Sequence, residues 1–264
     1  VHETSDEGAD DEHWDLDASH RRLSHALTGM GEPVGGWITS AGLRGWLSGA
    51  VTGGQPLDDD IRRTLHTDGP WRVEPRIGLA RHGHGPLRGT GMAGMLYTGE
   101  HLRPVEDMRF LLGCENPAPV TVANEVVYLG GRGRLARVRV DRYADPYPAA
   151  PATFPDGRLS VYLVTPALVD DVLWRPAGTS ARLCALAVNG PHPVATATPG
   201  KEFGRSRQLV WTVPAGSVYY LEFATAQDAA TWSAEHHGGL IPAVSADTNP
   251  IVTAGFGTCL TGSW

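Results

Sequence analysis

Residues 124–140 read NEVVYLGGRGRLARVRV: two runs, Asn124–Leu129 and Leu135–Val140, on either side of Gly130-Gly131-Arg132-Gly133. β-Branched and aromatic residues flanking a glycine turn predict two strands folded back on each other, an antiparallel pair. Side chains alternate along a strand, so Ala136, Val138 and Val140 take one face and Leu135, Arg137 and Arg139 the other. The same grammar recurs along the chain. Trp71 to Tyr97 predicts a strand, a loop studded with Gly83, Gly85, Gly89, Gly91 and Gly94, and a second strand. Leu159–Thr165, Ala181–Val188, Gln208–Val213 and Ser217–Phe223 are further strands, bounded by Gly or Pro. Residues 40–51 place Leu43, Trp46, Leu47 and Ala50 at helical spacing behind Thr39 or Ser40 as N-cap. Thr225 to Gly238 is a second helix, with His236 and His237 at its negative end. Asp58 to Leu65 predicts a third, short one. The expected class is α+β with antiparallel sheets.

Composition narrows the function classes. Glycine and proline supply 33 and 20 of the 264 residues, about a fifth against a usual share of roughly 12%. Many turns follow, and a helical bundle is excluded. No apolar run approaches the roughly 18 residues of a membrane-crossing helix. The net charge of -7 is uneven, because residues 1–17 hold eight acids and no Lys or Arg, which leaves 21 acids against 22 bases in the rest. Residues 1–17 are therefore expected to be an acidic flexible leader, unlike a secretory signal. Of the 22 bases, only Lys201 is not arginine. Cys114, Cys184 and Cys259 are few, odd in number and far apart, which points to a reducing cytoplasm and away from a disulfide framework.

Three segments have the chemistry of a phosphate contact. Gly130, Gly131, Arg132, Arg134 and Arg137 put guanidinium groups beside a backbone that a ligand can approach closely. Lys201, Arg205, Ser206 and Arg207 cluster around Gly204. Gly255, Phe256 and Gly257 offer a bare backbone and one ring for stacking. Each also has a plain reading, as a solvated sheet face, an exposed turn and a tight terminal turn. The lysine of a nucleotide-binding P-loop and a third glycine at dinucleotide spacing are both missing. His82, His84, Glu235, His236 and His237 leave metal binding or acid–base chemistry open, without HExxH or zinc-type Cys–His spacing.

An ordered series of short motifs resembles one family. It runs through Gly36-Trp37-Ile38-Thr39 with Leu43 and Trp46-Leu47, Glu74-Pro75-Arg76-Ile77-Gly78, Gly94-Met95-Leu96-Tyr97 and Leu129-Gly130-Gly131. It continues through Tyr162-Leu163-Val164-Thr165-Pro166, Pro214-Ala215-Gly216-Ser217-Val218-Tyr219 and Gly255-Phe256-Gly257. The series is similar to the third subunit of the Cmr complex, the type III-B CRISPR–Cas effector of antiviral defence, in the RAMP superfamily and related to Cas-five-type subunits. The resemblance implies tandem ferredoxin-like (RRM-like) domains, with an incomplete N-terminal part over 18–112 and a C-terminal domain over 113–264.

It also implies a non-catalytic, cytoplasmic scaffold without cofactor or metal. Such a scaffold holds the five-prime handle of the CRISPR RNA and docks on a Cas-ten-type large subunit and a Cas-seven-type backbone subunit. Target RNA is met only indirectly. The RNA-binding set is then Arg76, His82, His84, Arg88, Gly130, Gly131, Arg132, Arg134, Arg137, Lys201, Arg205, Ser206, Arg207, Gly255, Phe256 and Gly257. Two departures stand out. Arg132-Gly133-Arg134 replaces the acid-then-base pair that often follows the Gly-Gly. The family's opening strand and Arg-Asp-rich turn do not precede Trp37, so a truncated or split N-terminus is expected. The alternatives are a RAMP endoribonuclease acting through His82 or His84, and an unrelated metal-dependent hydrolase built on Glu235, His236 and His237.

Overall fold

The structure, a computed structural model, describes residues 2–3, 25–26, 36–49, 65–66, 69–106, 108–110, 126–129, 134–139, 147–169, 172–177, 179–197, 207–241 and 255–264, with backbone alone at 2–3, 25–26, 65–66, 195–197 and 207–208. In chain order the first strands and helix are β1 (His2–Glu3), β2 (His25–Ala26), β3 (Trp37–Ile38), α1 (Ser40–Leu47) and β4 (Leu65–His66). Then come β5 (Trp71–Arg81), β6 (Gly91–Pro104), β7 (Val126–Tyr128), β8 (Leu135–Arg137), β9 (Arg158–Leu163) and β10 (Arg182–Ala187). The last are β11 (His192–Ala197), β12 (Arg207–Thr212), β13 (Val218–Glu222), α2 (Ala226–His236) and β14 (Cys259–Ser263). The class is mixed α and β with antiparallel sheets, as the strand patterns predict. Among the described residues no helix is long and apolar enough to cross a membrane.

The chain packs as two compact units, 1–65 with 147–264, and 66–146. In this division β7 and β8 fall in the same unit as β5 and β6. Of the expected leader, His2–Glu3 pair antiparallel with His25–Ala26, and the remainder lies outside the described residues. The short helix expected at Asp58 to Leu65 also lies outside them, except Leu65, which is strand.

The larger unit is built on a four-stranded antiparallel sheet in the order β10-β13-β9-β14. Numbered along the chain these four strands run 2-3-1-4, the antiparallel order of a ferredoxin-like sheet. Among the described residues, only the β13-to-β14 crossover carries a helix, α2. Central β9 has neighbours on both sides and buries Leu159, Ser160, Val161 and Leu163. One face meets α2 in a core of Leu159, Val161, Tyr219, Leu221, Phe223, Trp174 and Trp232. Trp174 meets Tyr219 edge-on at 5.3 Å. On the other face α1 brings Trp46 to within 5.6 Å of Tyr162. Alternation along β14 separates the two faces. Thr261 turns to α2, while a Cβ at Gly262 would lie 2.9 Å from Leu47 O. Only glycine lets α1 approach β14 so closely.

Both helices have sequence-encoded ends. Thr39 Oγ1 accepts from Gly42 N–H at 3.2 Å. Thr225 Oγ1 accepts from Asp228 N–H at 3.1 Å and its hydroxyl donates to Asp228 Oδ2 at 2.8 Å, so the cap is reciprocal. At the far end Gly238 takes the left-handed conformation (φ 76°) that closes a helix. His237 braces this end. Pro148 O can only accept, so His237 Nε2–H donates to it at 2.7 Å, and Nδ1 accepts from Thr261 N–H at 3.0 Å. The His236 ring lies 4.5 Å from that of Trp232. Both nitrogens of His237 are thus occupied, which makes this residue a structural brace.

The smaller unit pairs β5 with β6 and β7 with β8. Exposure along 134–139 alternates as the sequence predicts, with Ala136 and Val138 the more covered residues.

Candidate functional site

Register decides what the β5–β6 hairpin presents. Arg72 stands opposite Arg103, Val73 opposite Leu102, Glu74 opposite His101, Arg76 opposite Gly99, and Gly78 opposite Tyr97. Directly opposed residues share a face. One face therefore carries Val73, Ile77, Leu79, Leu96 and Leu102. The other carries Arg72, Glu74, Arg76, Tyr97, His101 and Arg103. The ribbon is two-sided, apolar on one side and cationic on the other.

Glu74 is the hub of the cationic side. Its Oε1 accepts from Arg76 Nε at 3.1 Å and Nη2 at 2.8 Å. Its Oε2 accepts from Arg103 Nε at 2.9 Å and lies 2.7 Å from Arg103 Nη2. Hydrogen bonds from Arg76 first, then Arg103, hold the Glu74 carboxyl below the usual carboxylate range. Both arginines stay open to a ligand, with side chains 44% and 62% exposed. Arg134 joins from the start of β8, its Nη2 lying 3.2 Å from His101 Nδ1. A guanidinium only donates, so His101 Nδ1 accepts and its proton sits on Nε2. A Cβ at Gly78 would fall onto the Tyr97 ring, so the glycine of the Glu-x-Arg-x-Gly motif makes room for an aromatic floor.

Among the described residues, four guanidinium groups thus converge on a strip with one carboxylate, since the nearby Glu100 opposes Pro75 on the apolar side. Like charges directly opposite, as at Arg72 and Arg103, destabilise a strand pair. A bound anion would relieve that repulsion, and phosphate oxygens match guanidinium geometry.

The family profile of the CRISPR-associated protein (Cas_Cmr3) matches residues 12–264. The chain belongs to the Cas_Cmr3 family. It is a Cmr subunit of the type III-B CRISPR systems, as its motif series resembles. No curated protein matches the chain.

The other expected site residues of this Cas_Cmr3 protein fall in several places. Arg76 and Arg134 lie in the strip. His82, His84 and Arg88 lie at the hairpin tip, where His82 N–H donates to Thr90 O at 3.0 Å and Arg88 N–H to Gly85 O at 3.1 Å. The tip glycines Gly83, Gly85 and Gly89 have open space around them. Arg137 is exposed on β8 opposite Val126. Gly130, Gly131, Arg132, Lys201, Arg205 and Ser206 lie outside the described residues, and Arg207 is described only as backbone paired with Ala197.

Gly255, Phe256 and Gly257 belong to the larger unit, where both backbone groups of Gly257 and the carbonyl of Gly255 are bonded internally. Gly257 N–H donates to Pro166 O at 2.8 Å, Gly257 O accepts from Ile241 N–H at 2.8 Å, and Gly255 O accepts from Thr165 Oγ1 at 2.7 Å. The glycines there serve a staple between β9 and β14. No sequence motif singles out Arg72, Arg103 or His101. Only the register through the hairpin reveals them.

Proposed function

We propose that this Cmr subunit is a non-catalytic RNA-binding scaffold. It holds the five-prime handle of the CRISPR RNA and docks on the Cas-ten-type large subunit and the Cas-seven-type backbone subunit. The observation that carries the reading is the cationic strip, four arginines around one glutamate on a sheet surface with Tyr97 and His101 on the same face. Arginine forks suit phosphate oxygens, and flat rings on a sheet suit unstacked bases. A tandem ferredoxin-like arrangement belongs to this proposal: the 2-3-1-4 sheet is one member, and the β5–β6 hairpin is the two-strand portion of the other.

The test is binding of a labelled single-stranded RNA with the repeat-derived five-prime sequence, measured by anisotropy over a range of salt. Replacing Arg72, Arg76 and Arg103 together by Ala is expected to weaken binding more than tenfold. It should also flatten the salt dependence by about 0.7 in log–log slope for each phosphate no longer neutralised. Unchanged affinity and slope would remove the strip from RNA binding. The same RNA is expected to stay intact on incubation. Cleavage that disappears in His82→Ala would replace the scaffold with a ribonuclease.

A further inference from the structure

An acid in the middle of a phosphate-binding strip is a paradox for simple charge counting. Glu74 lies where it repels any bound phosphate. Neutralising it raises the positive charge of the strip by one unit, and Coulomb's law alone makes such a variant bind RNA more tightly. The geometry points the other way. Each carboxylate oxygen of Glu74 engages the Nε–Nη2 edge of a different arginine. An arginine has five N–H donors, and this edge uses two of them. The remaining donors, including both on Nη1, stay available on the side away from the carboxylate. Arg76 and Arg103 sit on adjacent strands, so one side chain fixes the spacing and the tilt of two guanidinium planes across the ribbon. Free arginine arms carry large rotamer entropy, and ordering them at the moment of binding costs affinity.

We propose that Glu74 is a positioning residue that presets Arg76 and Arg103 as two phosphate-receiving arms, so that its negative charge strengthens the hold on RNA. The proposal rests on the RNA-binding reading of the strip. It gives a physical reason for the Glu-x-Arg-x-Gly motif: the acid sets the arms, the arginine is one of them, and the glycine admits the Tyr97 ring beside them.

The experiment compares Glu74→Gln with Glu100→Gln in the full chain, using the same labelled RNA. Both variants change the net charge by the same amount, but Glu100 is on the opposite face. Glu74→Gln is expected to bind about fivefold more weakly, with its melting temperature and salt slope close to wild type, because the arms remain but are no longer aimed. Glu100→Gln is expected to stay within about twofold of wild type or to bind slightly more tightly. Arg103→Ala serves as the reference for the underlying reading and is expected to lose affinity. Glu74→Gln binding as tightly as wild type, or more tightly, while Arg103→Ala binds more weakly overturns the positioning role and leaves the RNA strip standing. Arg103→Ala and Glu74→Gln both binding like wild type overturns the RNA reading together with it.

Discussion

The β13-β9-β14 ladder and the β5–β6 ribbon use the same antiparallel chemistry and meet water very differently. In the ladder Leu159, Val161, Leu163, Tyr219 and Leu221 are fully buried. In the ribbon Ile77 is 76% exposed and Leu96 67%. A lone two-stranded hairpin is marginal in water, whereas a sheet of three or more strands packed on a helix is independently stable. The ladder therefore has the construction of a folding core, and the ribbon that of a surface made to be met.

The widest separation between the two comes from truncation. Trp232→Ala removes a ring that packs on Trp174 and Phe223, and a buried tryptophan truncated this way costs about 3–5 kcal/mol. Ile77→Ala should stay within about 0.5 kcal/mol, as exposed substitutions do. Chemical denaturation of both variants checks this, and equal costs would erase the distinction. Next in size is Gly262→Ala. The added Cβ would sit 2.6 Å from Ser160 Oγ and 2.9 Å from Leu47 O, so α1 must retreat from β14 at about 1–3 kcal/mol. A thermal melt that does not move would show that α1 is not seated there.

Titration sharpens the contrast further. Burial pushes the Cys259 thiol up to about 12, so the native protein should resist iodoacetamide at this site at pH 9 and react once unfolded. The thiol's preference for the neutral form contributes stability below its ordinary value, which is lost as pH rises from there towards about 12. Rapid native labelling of Cys259 would contradict its place in the core. On the ribbon the sign reverses. Glu74 is held below the ordinary carboxylate range by Arg76 and Arg103, so its contribution is present above that range and lost as pH falls through its own lower value. The ratio of wild-type to Glu74→Gln affinity for RNA should stay level from neutral pH down through the ordinary carboxylate range and decline only below it. A decline that begins within that range would mean the arginines do not hold Glu74 in solution.

Much of the larger unit can be read from residues alone. Helix caps at Thr39 and Thr225, the apolar run through β9, and the stops at Pro and Gly are local signals, and the structure has them in place. β14 is not legible in this way, because Cys-Leu-Thr-Gly-Ser has little intrinsic strand preference and only its pairing with β9 makes it a strand. β11 escapes for a similar reason, with Pro193 at its second position. The functional strip is harder still. Arg72 and Arg103 are 31 positions apart, and their meeting depends on the turn over 82–90 and the irregularity between Leu79 and Arg81. A one-residue slip would send one of them to the apolar face. Glu74 and Arg76 are legible as a motif, but that Glu74 takes Arg103 as a second partner is not.

The central claim is that the guide's five-prime end lies on the cationic side of the ribbon. Photocrosslinking in a reconstituted type III-B complex tests it directly, with 4-thiouridine placed in the repeat-derived end of the RNA and the adducts mapped by mass spectrometry. The account predicts adducts on peptides spanning 71–104, concentrated at Tyr97 and His101. Adducts confined to other subunits, with none on those peptides, would contradict it.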